Sequence, residues 1–159
     1  MTIPVGAYLY FLAVRLYGFY HVSRERVHLH LTLENITITI DIAIPLGLVM
    51  NEVIANSLKH AFPNERAGAI TITGKEAVGM LEIRITDNGI GMPPITESED
   101  TETFGLQLIR MLSDQLDGTV GFLSPPGTTV VLRIPKPVKK PGLPAMEPTK
   151  YGADNKEDS

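Results

Sequence analysis

Glu52, Asn56 and Lys59 stand at i, i+4 and i+7, so a helix through them gathers a carboxylate, an amide and an ammonium on one face, with His60 beside Lys59. A carboxylate so placed can orient or deprotonate an attacking group. An amide oxygen can complete the octahedral shell of Mg²⁺, and an ammonium can meet phosphate oxygens. The same spacing also describes an ordinary solvated helix face. A second stretch, Asp87-Asn88-Gly89-Ile90-Gly91-Met92-Pro93, ends a strand, and its two glycines allow positive φ and close backbone approach to a ligand. Asp87 is then a fixed acceptor for an adenine amino group, or else the start of a plain Asp-Asn-Gly turn. In a third, Thr103-Phe104-Gly105-Leu106, Gly105 precedes a helix whose free N–H groups and positive dipole end suit a phosphate. A simple helix start is the alternative. Gly127-Thr128-Thr129, entering the last strand, lines a base pocket or only turns the chain.

The elements that must position these residues are legible from periodicity. Tyr8, Phe11, Leu12, Leu16 and Phe19 recur at helical spacing within Val5 to Phe19, giving an amphipathic helix with Arg15 off its apolar stripe. From Val27 the period changes to two: Val27, Leu29, Leu31 and Leu33 form one alternating run, and Ile36, Ile38, Ile40 and Ile42 a second. Glu34-Asn35 between them reads as a tight hairpin. The main helix is predicted over Leu46 to Phe62, with Pro45 in its first turn and Pro63 ending it. Strands follow around Ile70-Ile72 and Leu81-Ile85, then a long connection from Asp87 to Phe104, of a length that is usually functional. Leu106 to Leu116 returns to helix with Gly118 as its stop, and strands at Thr119 to Leu123 and Thr128 to Ile134 close the pattern. The expected fold is α+β, a two-layer sandwich with a mixed, mostly antiparallel sheet and helices on one face. Beyond Pro135 the prolines and charges predict a disordered tail.

Composition narrows the function. The 14 basic and 18 acidic residues give a net charge of −4, with the basic ones scattered, so no footprint for nucleic acid is present. Cysteine is absent, which excludes disulfides and cysteine-bound zinc and agrees with a cytoplasmic location. The apolar run Ile3 to Tyr20 is short for a bilayer span and carries Arg15 near its middle; it also lacks a basic leader, so neither a membrane segment nor a signal peptide is expected. His28 and His30 share one strand face, but no third metal ligand is evident, and they read as solvent-facing.

Taken in order, these four stretches resemble the GHKL ATPase superfamily, and within it sensor histidine kinases. The run Ile44-Pro45-Leu46-Gly47-Leu48 followed by Asn51-Glu52-Val53-Ile54-Ala55-Asn56-Ser57-Leu58-Lys59-His60-Ala61-Phe62-Pro63 is similar to the asparagine box of the second histidine-kinase subfamily. The resemblance spans roughly residues 8 to 135 and implies an ATP-binding (Bergerat) fold with ATP and Mg²⁺ as cofactors. It implies that Asn56 ligates Mg²⁺, that Glu52 holds the family's helix carboxylate, and that Lys59 and His60 lie near the phosphates. Asp87 would read adenine, Gly89 and Gly91 would form the first glycine box with Met92 after it, and Gly105 and Leu106, preceded by Phe104, the second. Met92 to Phe104 would be the lid, whose Glu97, Glu99, Asp100 and Glu102 are expected to face solvent, away from phosphate. The second box carries fewer glycines than is usual in the family.

The implied division is 1–20 as the end of an upstream dimerisation helix, 21–135 as the ATP-binding catalytic domain, and 136–159 as the tail. The implied partners are a dimerisation domain bearing the phosphoacceptor histidine and a response regulator downstream; separately, the apolar stripe of the N-terminal helix must pack on the domain or on another chain, the latter giving a homodimer through that helix. No histidine precedes His21, so the sequence reads as a fragment that binds nucleotide without phosphorylating itself. The alternatives are a stand-alone ATPase in which Glu52 activates water, and a nucleotide-gated interaction module.

Overall fold

The computed structural model describes residues 1–33, 35–91 and 104–136. Strand β1 (Thr2–Pro4) leads into helix α1 (Val5–Phe19); β2 (Val27–Thr32) and β3 (Thr37–Thr39) precede α2 (Ile40–Asn56), which continues as a π-helical turn over Ser57–Ala61. Strands β4 (Gly68–Ala77) and β5 (Met80–Asp87), helix α3 (Phe104–Gln115), and strands β6 (Thr119–Leu123) and β7 (Thr128–Pro135) complete the chain. The main sheet runs in the order β2-β4-β5-β7-β6, parallel only between β2 and β4. This is the mixed, mostly antiparallel sheet that the sequence predicts.

Alternation along β5 shows why the sheet has two different faces. Leu81, Ile83, Ile85 and Asp87 are buried, whereas Glu82, Arg84 and Thr86 point to the open side. The buried row joins Ile70 and Ile72 of β4 and Val130, Leu132 and Ile134 of β7, and against it lie Leu46, Met50, Val53 and Ile54 of α2 with Leu106, Ile109 and Leu112 of α3. On the open side, Glu82 accepts from Arg84 at 2.9 Å and Arg133 at 2.8 Å, with Lys75 at 3.9 Å. Hydrogen bonds from the two guanidinium groups hold its carboxyl down at about 2. A depressed carboxyl stabilises the fold above its unfolded value, near 4.5, and that stabilisation is lost as pH falls toward 2. Glu82→Gln is therefore expected to melt below wild type at pH 6 and to converge with it near pH 2, as thermal melts across that range would read.

Two sequence expectations are corrected here. Glu34-Asn35 does not close a hairpin: β2 pairs in parallel with β4, and β3 pairs antiparallel with β1 in a separate small sheet, while Glu34 itself lies outside the described residues. The alternation from Ile36 to Ile42 also misleads, because the helix begins at Ile40. Ile38 is buried as strand, but Ile42, Leu46, Val49 and Val53 repeat at helical spacing, and that longer series sets the fold. Pro45 consequently lies one turn inside α2. The carbonyl that loses its helical donor there belongs to Asp41, in the exposed first turn, where water can serve it.

In α1 the buried face is Val5, Leu9, Ala13 and Tyr17, flanked by half-buried Tyr8, Leu12 and Leu16. Phe11 and Phe19, read from the sequence as part of the packed stripe, are 58% and 73% exposed. Gly47 explains the rotation: a side chain on it would overlap the Tyr8 hydroxyl, so α1 sinks onto α2 at that point, and Tyr8 donates to the Ala43 carbonyl at 2.7 Å. The continuous helical run Ile40–Ala61 is long and apolar enough to cross a bilayer, yet it is the central core helix, with 56% of its most apolar stretch buried.

Candidate functional site

Asp87 closes β5, 4% exposed, and its carboxylate is held on both oxygens. Oδ1 accepts from the Gly89 N–H at 3.0 Å and Oδ2 from the Ser57 hydroxyl at 2.7 Å. Each oxygen keeps a lone pair for a ligand donor, and no cation lies within ion-pairing distance among the described residues. The β5–β7 register sets Thr128 directly opposite Asp87. Just before it, Gly127 has φ 61° and leaves no room for a side chain, because a Cβ would overlap the Asp87 carbonyl.

The two glycines after Asp87 serve different ends. Gly91 has φ 84°, and a Cβ there would fall 2.9 Å from Ser124 Oγ and 3.1 Å from the Gly127 carbonyl, so two separate loops meet at glycines. Gly89, expected to use positive φ as well, does not; it is glycine because the Ala61 backbone lies where its side chain would be. The next residue, Ile90, donates its N–H to the Ala61 carbonyl at 3.0 Å. Asn88 is tied back to β4, its Oδ1 accepting from the Ala69 N–H at 2.8 Å, while Arg66 donates to its carbonyl at 3.1 Å.

Across from this loop, the start of α3 faces α2. A Cβ on Gly105 would lie 2.9 Å from Glu52 Oε2 and 3.6 Å from Asn56 Nδ2, so glycine lets the N-terminal turn of α3 approach both side chains. Neither side chain has a hydrogen-bond or ion-pair partner among the described residues. Leu106 is buried beneath them and Phe104 is 79% exposed at the helix start. The third polar group expected on this face turns elsewhere: after Asn56 the helix widens into its π turn, and Lys59 Nζ stands 5.9 Å over the Tyr20 ring. His60 is exposed on the same turn.

The structure thus gathers Glu52, Asn56 and Gly105 at one locus, and Asp87, Gly89, Gly91 and Thr128 at another. Met92, Thr103 and the rest of the expected lid, with the tail from residue 137, lie outside the described residues. The sequence alone does not single out Ser57. Its signal there is weak, a single hydroxyl in an apolar helix whose partner comes thirty positions later.

This fold and this pairing of an asparagine helix with an Asp-x-Gly-x-Gly turn define a protein class, and the chain belongs to it. The histidine kinase-, DNA gyrase B- and HSP90-like ATPase family matches residues 41–138. Over 99 residues the chain is 36% identical to the sensor histidine kinase PdtaS of Mycobacterium tuberculosis, a match covering 60% of this chain and 20% of that protein. The chain therefore spans about a fifth of that relative's length. Among solved structures, the histidine kinase domain of the Erythrobacter litoralis EL346 blue-light activated kinase superposes with a TM-score of 0.73 at 25% identity, over 84% of this chain and 61% of that one. The ATP binding domain of PrrB from Mycobacterium tuberculosis shares the fold, with a TM-score of 0.64 at 23% identity over 87% and 98%.

Proposed function

We propose that the chain is the ATP-binding catalytic domain of a two-component sensor histidine kinase, which holds Mg-ATP and presents its γ-phosphate to a histidine on a dimerisation domain. The observation that carries this reading is the doubly held Asp87 carboxylate. Buried, acceptor-only and without a paired cation among the described residues, it is matched to an exocyclic amine such as that of adenine. Glu52 and Asn56 beside the start of α3 offer the hard oxygen donors that Mg²⁺ prefers, and Asn56 is the residue we assign to it. A bound Mg²⁺ would neutralise charge growing on the phosphate oxygens during in-line transfer. The N-terminal turn of α3, which Gly105 brings close to Glu52 and Asn56, would meet the phosphates through its positive dipole end, with Gly105 and Leu106 assigned to that contact.

The same reading assigns His60 to the outer, phosphate side of the pocket, joined by Lys59 once its ammonium leaves the Tyr20 ring, Gly89 and Gly91 to the purine side, and Thr128 to its floor. Residues 1–20, which pack into the same core through Val5, Leu9, Ala13 and Tyr17, are assigned to the end of an upstream dimerisation segment. In support, Phe11 and Phe19 are exposed apolar side chains on α1, on the side turned away from the core, where a second copy would cover them. A response regulator would take the phosphoryl group onward, in the cytoplasm. A water-activating role for Glu52 is the second reading, favoured by the absence of any ion-pair partner for its carboxylate among the described residues.

Calorimetric titration with Mg-ADP and a non-hydrolysable ATP analogue tests the proposal. Saturable one-site binding is expected, followed by transfer of labelled phosphate to an added histidine-bearing dimerisation domain. Steady phosphate release that Glu52→Gln abolishes, without such transfer, would move the assignment to a stand-alone ATPase. A folded protein that binds neither nucleotide would leave the interaction-module reading.

A further inference from the structure

We infer that Ser57 is a specificity-determining positioning residue, which sets the ligand preference of the site through Asp87. The inference rests on the proposed nucleotide-binding role and goes beyond it by naming how one base is chosen over another.

Ser57 opens the π-helical turn and is itself only 7% exposed. Its hydroxyl, 2.7 Å from Asp87 Oδ2, is the single side-chain donor to that carboxylate among the described residues. The Gly89 N–H on Oδ1 is a backbone group that any sequence would provide. With one donor on each oxygen, the carboxylate is fixed about its χ2 axis and kept as a pure acceptor. A purine whose six-position carries an amine satisfies such a carboxylate. One whose six-position carries a carbonyl sets acceptor against acceptor in a buried place and is rejected.

Without the Ser57 hydroxyl, Oδ2 keeps no side-chain donor among the described residues. Asp87 is then free to turn about χ2, and the acceptor that opposed the carbonyl purine is no longer held against it. Ser57 touches no part of the ligand in this account. It acts on selectivity, and a residue that merely supported the fold would lower affinity for both purines alike.

The test compares Mg-ADP with Mg-IDP, which differ at the six-position, by calorimetry on the whole chain. Wild type is expected to prefer Mg-ADP. Ser57→Ala, which only removes one oxygen atom, is expected to cut the ADP-to-IDP affinity ratio about tenfold, and Ser57→Thr, which keeps the hydroxyl, to hold the ratio near wild type. A folded Ser57→Ala protein with an unchanged ratio, or one that loses both ligands in equal proportion, overturns the inference. Failure of the wild type to bind either nucleotide overturns the proposed function and this inference with it. Equal binding of both by wild type spares the nucleotide-binding role and removes only the selectivity.

Discussion

Asp87→Asn is expected to weaken Mg-ADP binding a hundredfold or more while shifting the melting temperature by only a few degrees. The substitution keeps the shape of the side chain but exchanges one acceptor oxygen for a donor and removes the charge. Gly89 still finds an oxygen if the amide turns it that way, and the Ser57 hydroxyl can reverse to accept from the new NH₂ group, so the fold keeps most of its local bonds. The ligand does not fare so well. A hydrogen bond to a charged partner contributes about 1.5–3 kcal/mol, and an unpaired buried polar group costs about 1–3 kcal/mol more. Together these come to about 2.5–6 kcal/mol, which spans and mostly exceeds the roughly 2.8 kcal/mol that a hundredfold change requires. Titration of both proteins with Mg-ADP, alongside thermal melts, checks both halves; affinities within threefold of each other would remove Asp87 from the reading of the base.

Gly127→Ala is expected to lower stability by about 3 kcal/mol, which for a domain of this size is a fall of about 10 °C. Two costs add. At φ 61° any residue with a Cβ is strained by about 1–2 kcal/mol, and forcing a methyl group against fixed backbone costs about 1–3 kcal/mol. The obstructing atom is the Asp87 carbonyl, part of a ladder strand that cannot yield without disturbing its pairing to β4 and β7. Gly121→Ala is the control, since nothing lies within 4 Å of a Cβ placed there. Differential scanning calorimetry should show a large fall for the first variant and almost none for the second; equal melting would mean that the loop carrying Gly127 stands clear of Asp87.

Much of the architecture was legible because the sheet has one wet face. Glu82 and Arg84 between Leu81, Ile83 and Ile85 declare a strand within five residues, and β4 and β6 alternate likewise, whereas β7 buries Val130, Val131 and Leu132 in succession. The family and the order of its motifs were readable for a related reason: the spacing of Glu52 from Asn56 and of Asp87 from Gly91 is local. Long-range pairing was not. The second run of alternating isoleucines invited a hairpin, and only the partnership of β2 with β4, some forty residues on, shows otherwise. The sequence presents Gly89 as a conformational glycine, whereas its real constraint is the Ala61 backbone. Lys59 left the face of Glu52 and Asn56 because a π turn changes the angular step, and nothing in the helix sequence announces that widening.

The bond from Ile90 to the Ala61 carbonyl, with Gly89 pressed on the same residue and Ser57 tied to Asp87, stitches the end of the asparagine helix to the aspartate turn at both of its margins. In a chimera of two relatives, these segments form one inheritable block although some thirty residues separate them along the chain. A crossover placed between them would join a helix end to a turn that was never fitted to it, whereas one placed before Ile40 or after Gly91 would carry the whole fitted pair from a single parent.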